Sequence, residues 1–212
     1  AHGHHPQYRH FGLICGYMNR VATLTSSGKH QVPVAILYHG EAEWAEGDSA
    51  MPFEAPLRRL YDRQIDCHTV PADIFCQPDH YPVTLGNPLC VNGQQYRVLV
   101  IPACRTIPAS AAAAAESLLK MGLPVIFVDR YPDVIAETGE AVSAALCKAR
   151  CVTLDSLYDE VHKLSLAVPR LEPASDRVRF LHIHGDTDLF MVVNEAAQTY
   201  CGRVTLPAEG SC

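Results

Sequence analysis

Short apolar runs that alternate with helical segments are the feature that most limits the folds open to this chain. The run PVAILY at 33–38 is apolar throughout, and YRVLVIP at 96–102 and PVIFVD at 124–129 are similar. Continuous runs of this kind are typical of strands that are covered on both faces of a parallel sheet. Shorter runs at 66–71 and 151–154 complete a set of five predicted strands.

Helical segments separate these strands. Pro56 fits within the first turn of the first segment, Gly122 fits a C-cap and Asp155 fits an N-cap. The predicted helices are 53–64, 110–122, 140–149 and 155–164, with a turn or short helix at 72–75. This alternation predicts an α/β fold. We expect a flavodoxin-like, five-stranded parallel sheet with helices on both faces, right-handed crossovers and the strand order 2-1-3-4-5.

The two ends of the chain follow other patterns. Residues 6–27 have helical periodicity, with Phe11, Ile14 and Met18 on an apolar face. Residues 177–207 predict strands joined by turns, which is an antiparallel meander, and PRLEP at 169–173 is the predicted linker. The predicted domains are 1–30, 31–168 and 174–212. Since the chain begins at Ala1 and stops after a strand-like segment, we expect a piece of a longer polypeptide with an exposed apolar stripe on its first helix.

Charge and cysteine content exclude several classes of function. A net charge of −6, with no basic run, argues against nucleic acid or an anionic membrane as a partner. The nine cysteines are odd in number and contain no CxxC, which is typical of free thiols in a reducing cytoplasm. No signal-peptide core and no run of 18 apolar residues occurs. We therefore expect a cytoplasmic protein.

The order of these parts resembles a region of certain large bacterial glycoside hydrolases. In these β-galactosidase-like and α-L-rhamnosidase-like enzymes, a middle domain that is similar to a class I glutamine amidotransferase follows the catalytic barrel, and a β-sandwich comes next. The stretches that carry the resemblance, within about residues 6–207, are VAILYHGEAEWA, MPFEAPLRRLYDRQIDCHTVPADIF, NGQQYRVLVIPACRTIP, LPVIFVD and GDTDLFMVVNEA with GRVTLP.

The resemblance implies an accessory role. Catalytic carboxylates in those enzymes lie on the barrel, while the middle domain makes oligomer contacts or forms part of the wall of the active site. It implies that 1–30 is a helix carried over from the catalytic domain and that 174–212 opens a partial β-sandwich. The implied partners are the catalytic (β/α) barrel of the same polypeptide, carbohydrate and further copies in a homo-oligomer. The parent is then a glycoside hydrolase, and this chain alone is not catalytic.

Cys104 is a candidate nucleophile because it follows the third predicted strand on a strand-to-helix turn. An amidotransferase-like elbow is typically G-x-C-x-G, since neighbouring side chains clash in that turn. Here Cys104 is flanked by Ala103 and Arg105, with no glycine in the turn. No HxE partner motif follows it. Arg105 and the next helix offer some stabilisation of a thiolate. We favour a structural thiol over a reactive one.

The segment 38–51, read as a loop, is the most function-like stretch, because ligands bind at the carboxyl edge of such sheets. It places Glu41 and Glu43 beside Trp44, the single tryptophan. A ring face beside carboxylates is typical of sugar recognition, and a pair of carboxylates also serves acid–base chemistry. We favour a solvated acidic loop with Trp44 against a neighbouring domain. Sugar contact and catalysis are the alternatives.

The remaining candidates are weaker. Asp129, at the end of the fourth strand, is either a ligand-facing carboxylate or, preferably, a cap or turn residue. GDTD at 185–188 is better explained as a hairpin turn than as a calcium loop. HGHH at 2–5 and HIH at 182–184 are poor transition-metal sites. No phosphate-binding glycine motif occurs. We therefore predict no metal and no cofactor.

Three functions follow from these observations. The preferred one is a non-catalytic accessory domain of a carbohydrate-active enzyme. The second is a free-standing hydrolase that uses Cys104. The third is a flavodoxin-like binder of a small ligand.

Overall fold

The computed structural model describes residues 3–207, which form fifteen strands and six α-helices. The strands are β1 (Lys29–His30), β2 (Val34–Tyr38), β3 (Cys67–Pro71), β4 (Val83–Thr84), β5 (Leu89–Val91), β6 (Gln94–Tyr96), β7 (Val98–Ile101), β8 (Thr106–Ile107), β9 (Val125–Val128), β10 (Val134–Ile135), β11 (Arg150–Val152), β12 (Arg170–Glu172), β13 (Val178–His184), β14 (Asp188–Asn194) and β15 (Arg203–Thr205). The helices are α1 (Phe11–Thr25), α2 (Gly40–Glu46), α3 (Glu54–Tyr61), α4 (Asp73–Cys76), α5 (Ala109–Lys120) and α6 (Leu157–His162).

A five-stranded parallel sheet is the centre of the fold. Its strands lie in the order β11-β9-β7-β2-β3, and every pairing is parallel, as in Val34 opposite Val98 and Leu99 opposite Val125. If these five strands are numbered by their order in the chain and read from β3 to β11, the order is 2-1-3-4-5. The predicted topology is therefore confirmed. All the carboxyl ends of these strands therefore lie along one edge of the sheet.

Both faces of this sheet are buried, because successive side chains of a strand point to opposite faces. On one face, Ala35 and Leu37 of β2 pack in a cluster with α4 and α5, which includes the fully buried Leu118. On the other face, Val34 and Ile36 pack in a cluster with Leu60 of α3 and Leu157 of α6. The helices on both faces confirm the predicted α/β class.

A small antiparallel sheet in the order β4-β5-β6 was not predicted. It lies between the second and third strands of the central sheet along the chain. Asn92 and Gly93 form the turn between β5 and β6 with positive φ values of 52° and 78°. An Asn-Gly pair favours this hairpin turn, so the signal was present in the sequence.

The predicted helix at 140–149 is wrong. Gly139 has a φ of 70°, and the backbone turns back there, because Val142 N–H donates to the carbonyl of Asp133 at 3.0 Å. Ala141 forms a β-bridge to Val134 of β10, which pairs in parallel with β8. Only Leu146–Lys148 is helical, as one 3-10 turn. Hairpin pairing around Gly139 thus overrides the helix propensity of the alanines.

Two smaller predictions about the carboxyl-terminal third are also wrong. Thr153, not Asp155, is the N-cap of the helical segment that leads into α6, since its side chain accepts from Ser156 N–H. The predicted linker 169–173 contains strand β12, which pairs antiparallel with β15. The predicted meander is therefore divided: β13 and β14 form a sheet with β1, and β15 pairs elsewhere.

The chain divides into two compact units. Within the described residues, one comprises 3–31 and 181–192, and the other comprises 32–180 and 193–207. The first contains α1, whose large apolar side chains are exposed, including Leu13 at 74% and Met18 at 61%. The predicted exposed apolar face of this helix is present. Within residues 3–207, no helix is both long enough and apolar enough to span a membrane.

Candidate functional site at the carboxyl edge of the sheet

The carboxyl edge of the central sheet carries most of the predicted site residues. The segment 38–51 was predicted as a loop, but it forms helix α2 and a 3-10 turn at Gly47–Ser49. Gly47, with a φ of 55°, separates the two. Glycine adopts this conformation without the steric penalty of a side chain. The acidic residues of this segment therefore have fixed positions along a helix.

Glu46, at the end of α2, binds the turn that contains Cys104. Its Oε2 accepts from Arg105 N–H at 2.8 Å, while its Oε1 accepts from the Thr106 N–H at 2.7 Å and the Thr106 hydroxyl at 2.6 Å. Partial burial raises the pKa of Glu46, but these hydrogen bonds and Arg105 outweigh it, so the pKa lies below its usual value. Hydrogen bonds to a carboxylate stabilise its charged form. Sequence analysis noted Glu46 only as part of an acidic segment.

Cys104 itself is 1% exposed. Burial raises its pKa to about 12, and the charge of Glu46 adds to this effect. The nucleophilic form of cysteine is the thiolate, which this environment disfavours at neutral pH. The charge of Arg130 lowers the pKa of Cys104, and that of Asp133 opposes this effect. This environment is that of a structural thiol.

The three sugar-contact candidates on α2 differ in their surroundings. Glu43 is partly buried, and its Oε1 accepts from Phe53 N–H at 3.3 Å. Glu41 is exposed, and the Trp44 side chain is 83% exposed. An exposed tryptophan of this size is suited to contact with another molecule. The structure thus gives Glu43 an internal partner and leaves Glu41 and Trp44 at the surface.

His39 is a buried residue at this edge that sequence analysis missed. It directly follows β2 and is 0% exposed. Burial lowers its pKa, against the opposing effects of the Glu43 charge, of backbone hydrogen bonds at Leu37 and Met51, and of the Glu46 charge. A buried histidine in this environment is neutral, because an apolar surrounding disfavours the charged ring. Its only sequence signal was its position after the first strand.

Asp129 lies at the end of β9 with a φ of 61°. Its Oδ1 accepts from Leu154 N–H at 2.8 Å, and its own N–H donates to the Val152 carbonyl at 2.7 Å. Both bonds join the end of β9 to the segment after β11. Its carboxylate therefore has a hydrogen-bond partner within the chain, at the start of the 3-10 turn that follows β11.

The His and Asp motifs near residue 185 come together in the antiparallel sheet. Asp188 Oδ1 lies 2.7 Å from His182 Nε2 and 2.9 Å from His184 Nδ1. Hydrogen bonds from the two rings lower the pKa of Asp188. No group of three or more His, Cys, Asp or Glu within residues 3–207 has an arrangement that holds a metal ion. His2 of the HGHH motif lies outside the described residues.

Comparison with solved structures gives a likeness of fold. No family model matches the chain, and no curated protein matches it. The fold is similar to that in the crystal structure of the apo exo-carrageenase GH42 from Bacteroides ovatus, with a TM-score of 0.52 and 12% sequence identity. The likeness covers 77% of this chain but only 23% of that one. At this identity the likeness concerns the fold alone.

Proposed function

We propose that this chain is a non-catalytic accessory domain of a glycoside hydrolase, of the type that is similar to a class I glutamine amidotransferase. The observation that supports the proposal is the fold likeness to a GH42 enzyme. The matched region is 23% of the length of that enzyme's chain. A match of that extent is what a domain of a large enzyme gives. The predicted boundaries, a helix in 1–30, an α/β domain in 31–168 and a β segment in 174–212, are part of the proposal.

The environment of Cys104 supports the absence of catalysis. Burial raises the pKa of the thiol to about 12, and Glu46, whose charge adds to this effect, is already bound to the Arg105–Thr106 turn. A cysteine hydrolase needs a lowered thiol pKa or an adjacent base. Neither the second candidate function nor the small-ligand binder is favoured by a specific observation at this edge.

The surface supports a role in contacts with a partner. Within residues 3–207, the exposed large apolar side chains are concentrated on α1 and its preceding turn, where Tyr8, Phe11 and Leu13 are 48%, 48% and 74% exposed. Contiguous exposed apolar residues mark contact surfaces. We propose that the partner of α1 is the catalytic barrel of the same polypeptide, in a cytoplasmic bacterial enzyme that is a homo-oligomer. Trp44 and Glu41 would then face a neighbouring domain or its sugar.

The test is hydrolysis of a panel of nitrophenyl glycosides by this chain and by the full product of its gene. We expect the full product to hydrolyse at least one of these glycosides and residues 1–212 alone to hydrolyse none. Turnover by residues 1–212 alone would overturn the accessory role. A full product that cleaves no glycoside would overturn the assignment to a glycoside hydrolase.

A further inference from the structure

A polar cavity lies at the opposite, amino-terminal edge of the central sheet, away from Cys104. It has a volume of about 210 Å³. Its walls are the segment before β3, helix α6, and strand β12 with the residues on either side of it. The lining residues used below are Arg63, Gln64, Tyr158, His162, Arg170 and Glu172. Pockets for drug-sized ligands measure roughly 300–1,000 Å³. A single sugar ring or a smaller ion is therefore the size of ligand to consider.

Packing holds the walls of this cavity in place. The Arg63 guanidinium lies 4.9 Å from the centre of the Tyr158 ring. The rings of Tyr158 and His162 are stacked with centroids 5.4 Å apart. Gln64 is buried, and its Nε2 donates to the carbonyls of Ser175 at 2.7 Å and Val178 at 3.0 Å. These side chains lose little entropy when a ligand binds, whereas the side chains of Arg170 and Glu172 are exposed.

The charges in this cavity are unbalanced. Among residues 3–207, neither Arg63 nor Arg170 has a carboxylate within ion-pair distance, whereas Arg59, Arg150 and Arg179 pair with carboxylates at 3.4, 3.3 and 3.0 Å. Guanidinium groups bind planar or tetrahedral anions through paired N–H donors. Two guanidiniums on one cavity, in a chain of net charge −6, point to an anionic ligand.

Glu172 sets a further condition on the ligand. It is the one carboxylate among the lining residues, and it is exposed. A carboxylate accepts hydrogen bonds from hydroxyl groups and repels a second anionic group. A ligand that suits all these residues has one anionic group and neighbouring hydroxyls.

We propose that this cavity binds one anionic sugar unit, with its carboxylate or sulfate between Arg63 and Arg170 and its hydroxyls against Glu172 and His162. The sugar part of this inference rests on the proposed function, and the anionic part rests on the two arginines. The site would give the accessory domain a contact with acidic polysaccharide that is separate from the barrel.

The experiment is a titration of residues 1–212, followed by heteronuclear NMR, at fixed ionic strength. The probes are galacturonate, galactose 6-sulfate, neutral galactose and sodium sulfate. We expect the two anionic sugars to bind at least about tenfold more tightly than galactose or sulfate alone. We expect Arg63→Gln and Arg170→Gln each to weaken that binding by about tenfold, the size of effect that charge-assisted hydrogen bonds give.

Arg97→Gln is the matched control, because Arg97 is exposed and does not line the cavity. It should leave the affinity unchanged, and unshifted distant resonances will show that each variant is folded. Equal binding of galactose and galacturonate would overturn the anionic site. Sulfate that binds as tightly as galactose 6-sulfate would overturn the sugar part. No binding of any probe would overturn the whole proposal. These results are independent of the glycoside assay, which tests the accessory role itself.

Discussion

At the scale of single residues, the environment of Cys104 favours a structural thiol over a nucleophile. The missing glycines around it already favoured a structural thiol, but its burial could not be predicted, because it depends on α2 packing beside the turn. His39 was missed for the same reason. A single polar residue after an apolar strand has no local pattern that separates a buried ring from an exposed one.

Cys104 should resist alkylation in the folded protein. Its pKa of about 12 leaves roughly a thousandfold less thiolate at neutral pH than an ordinary cysteine has. Iodoacetamide labelling followed by mass spectrometry should modify the exposed Cys76, Cys147 and Cys201 well before Cys104. All of them should react in urea. Fast labelling of Cys104 in the native state would contradict this account of the thiol.

Glu46→Gln should lower the free energy of unfolding by about 1–2 kcal/mol at pH 7, since it weakens charge-assisted hydrogen bonds to Arg105 and Thr106. The folded-state pKa of Glu46 lies below its ordinary value of 4.5. Its stabilising contribution is therefore complete above about pH 4.5 and is lost as the pH falls through the folded-state value. Urea unfolding of both proteins from pH 7 to pH 3.5 measures this difference. If the difference in unfolding free energy between the two proteins did not become smaller at low pH, the stabilising role of the Glu46 charge would be contradicted.

At the scale of helices and strands, the five central strands were predicted, whereas the structure of two segments beside them was not. The central strands are recognisable from apolar runs such as 33–38 and 124–129, because a strand covered on both faces has apolar side chains throughout. The segment 140–149 has helix-forming residues, yet pairing with β10 decides its structure. The segment 38–51 was read as a loop that follows the first strand, yet it forms α2. Tertiary contacts decided both segments.

Helix α5 lies close to the sheet because small side chains face it. Ala115 is 0% exposed, whereas Ala113 is exposed. Ala115→Leu should destabilise the fold by about 1–3 kcal/mol, since extra volume in a packed core forces neighbours to shift. Ala113→Leu is the matched control and should change the stability by less than about 0.5 kcal/mol. Equal effects of the two substitutions in thermal or urea unfolding would contradict the packing of this helix.

At the scale of the whole molecule, the proposed binding cavity does not lie at the carboxyl edge of the central sheet, where the sequence placed most candidate site residues. The strand order 2-1-3-4-5 followed from the sequence, because the five apolar runs and their spacing allow few other topologies. The polar cavity between α6 and the segment before β3 did not follow. It is built from residues about a hundred positions apart, Arg63 and Arg170 among them, and no local motif joins them.

The most direct test of the non-catalytic role is kcat of the full gene product on its best glycoside after combined Glu41→Gln, Glu43→Gln and Cys104→Ala substitution. These changes remove the groups of this chain that were candidates for catalysis. The account predicts a kcat within about threefold of the unsubstituted enzyme, with a thermal melt to show that the variant is folded. A loss of roughly a thousandfold or more, the size expected when a catalytic group is removed, would contradict it.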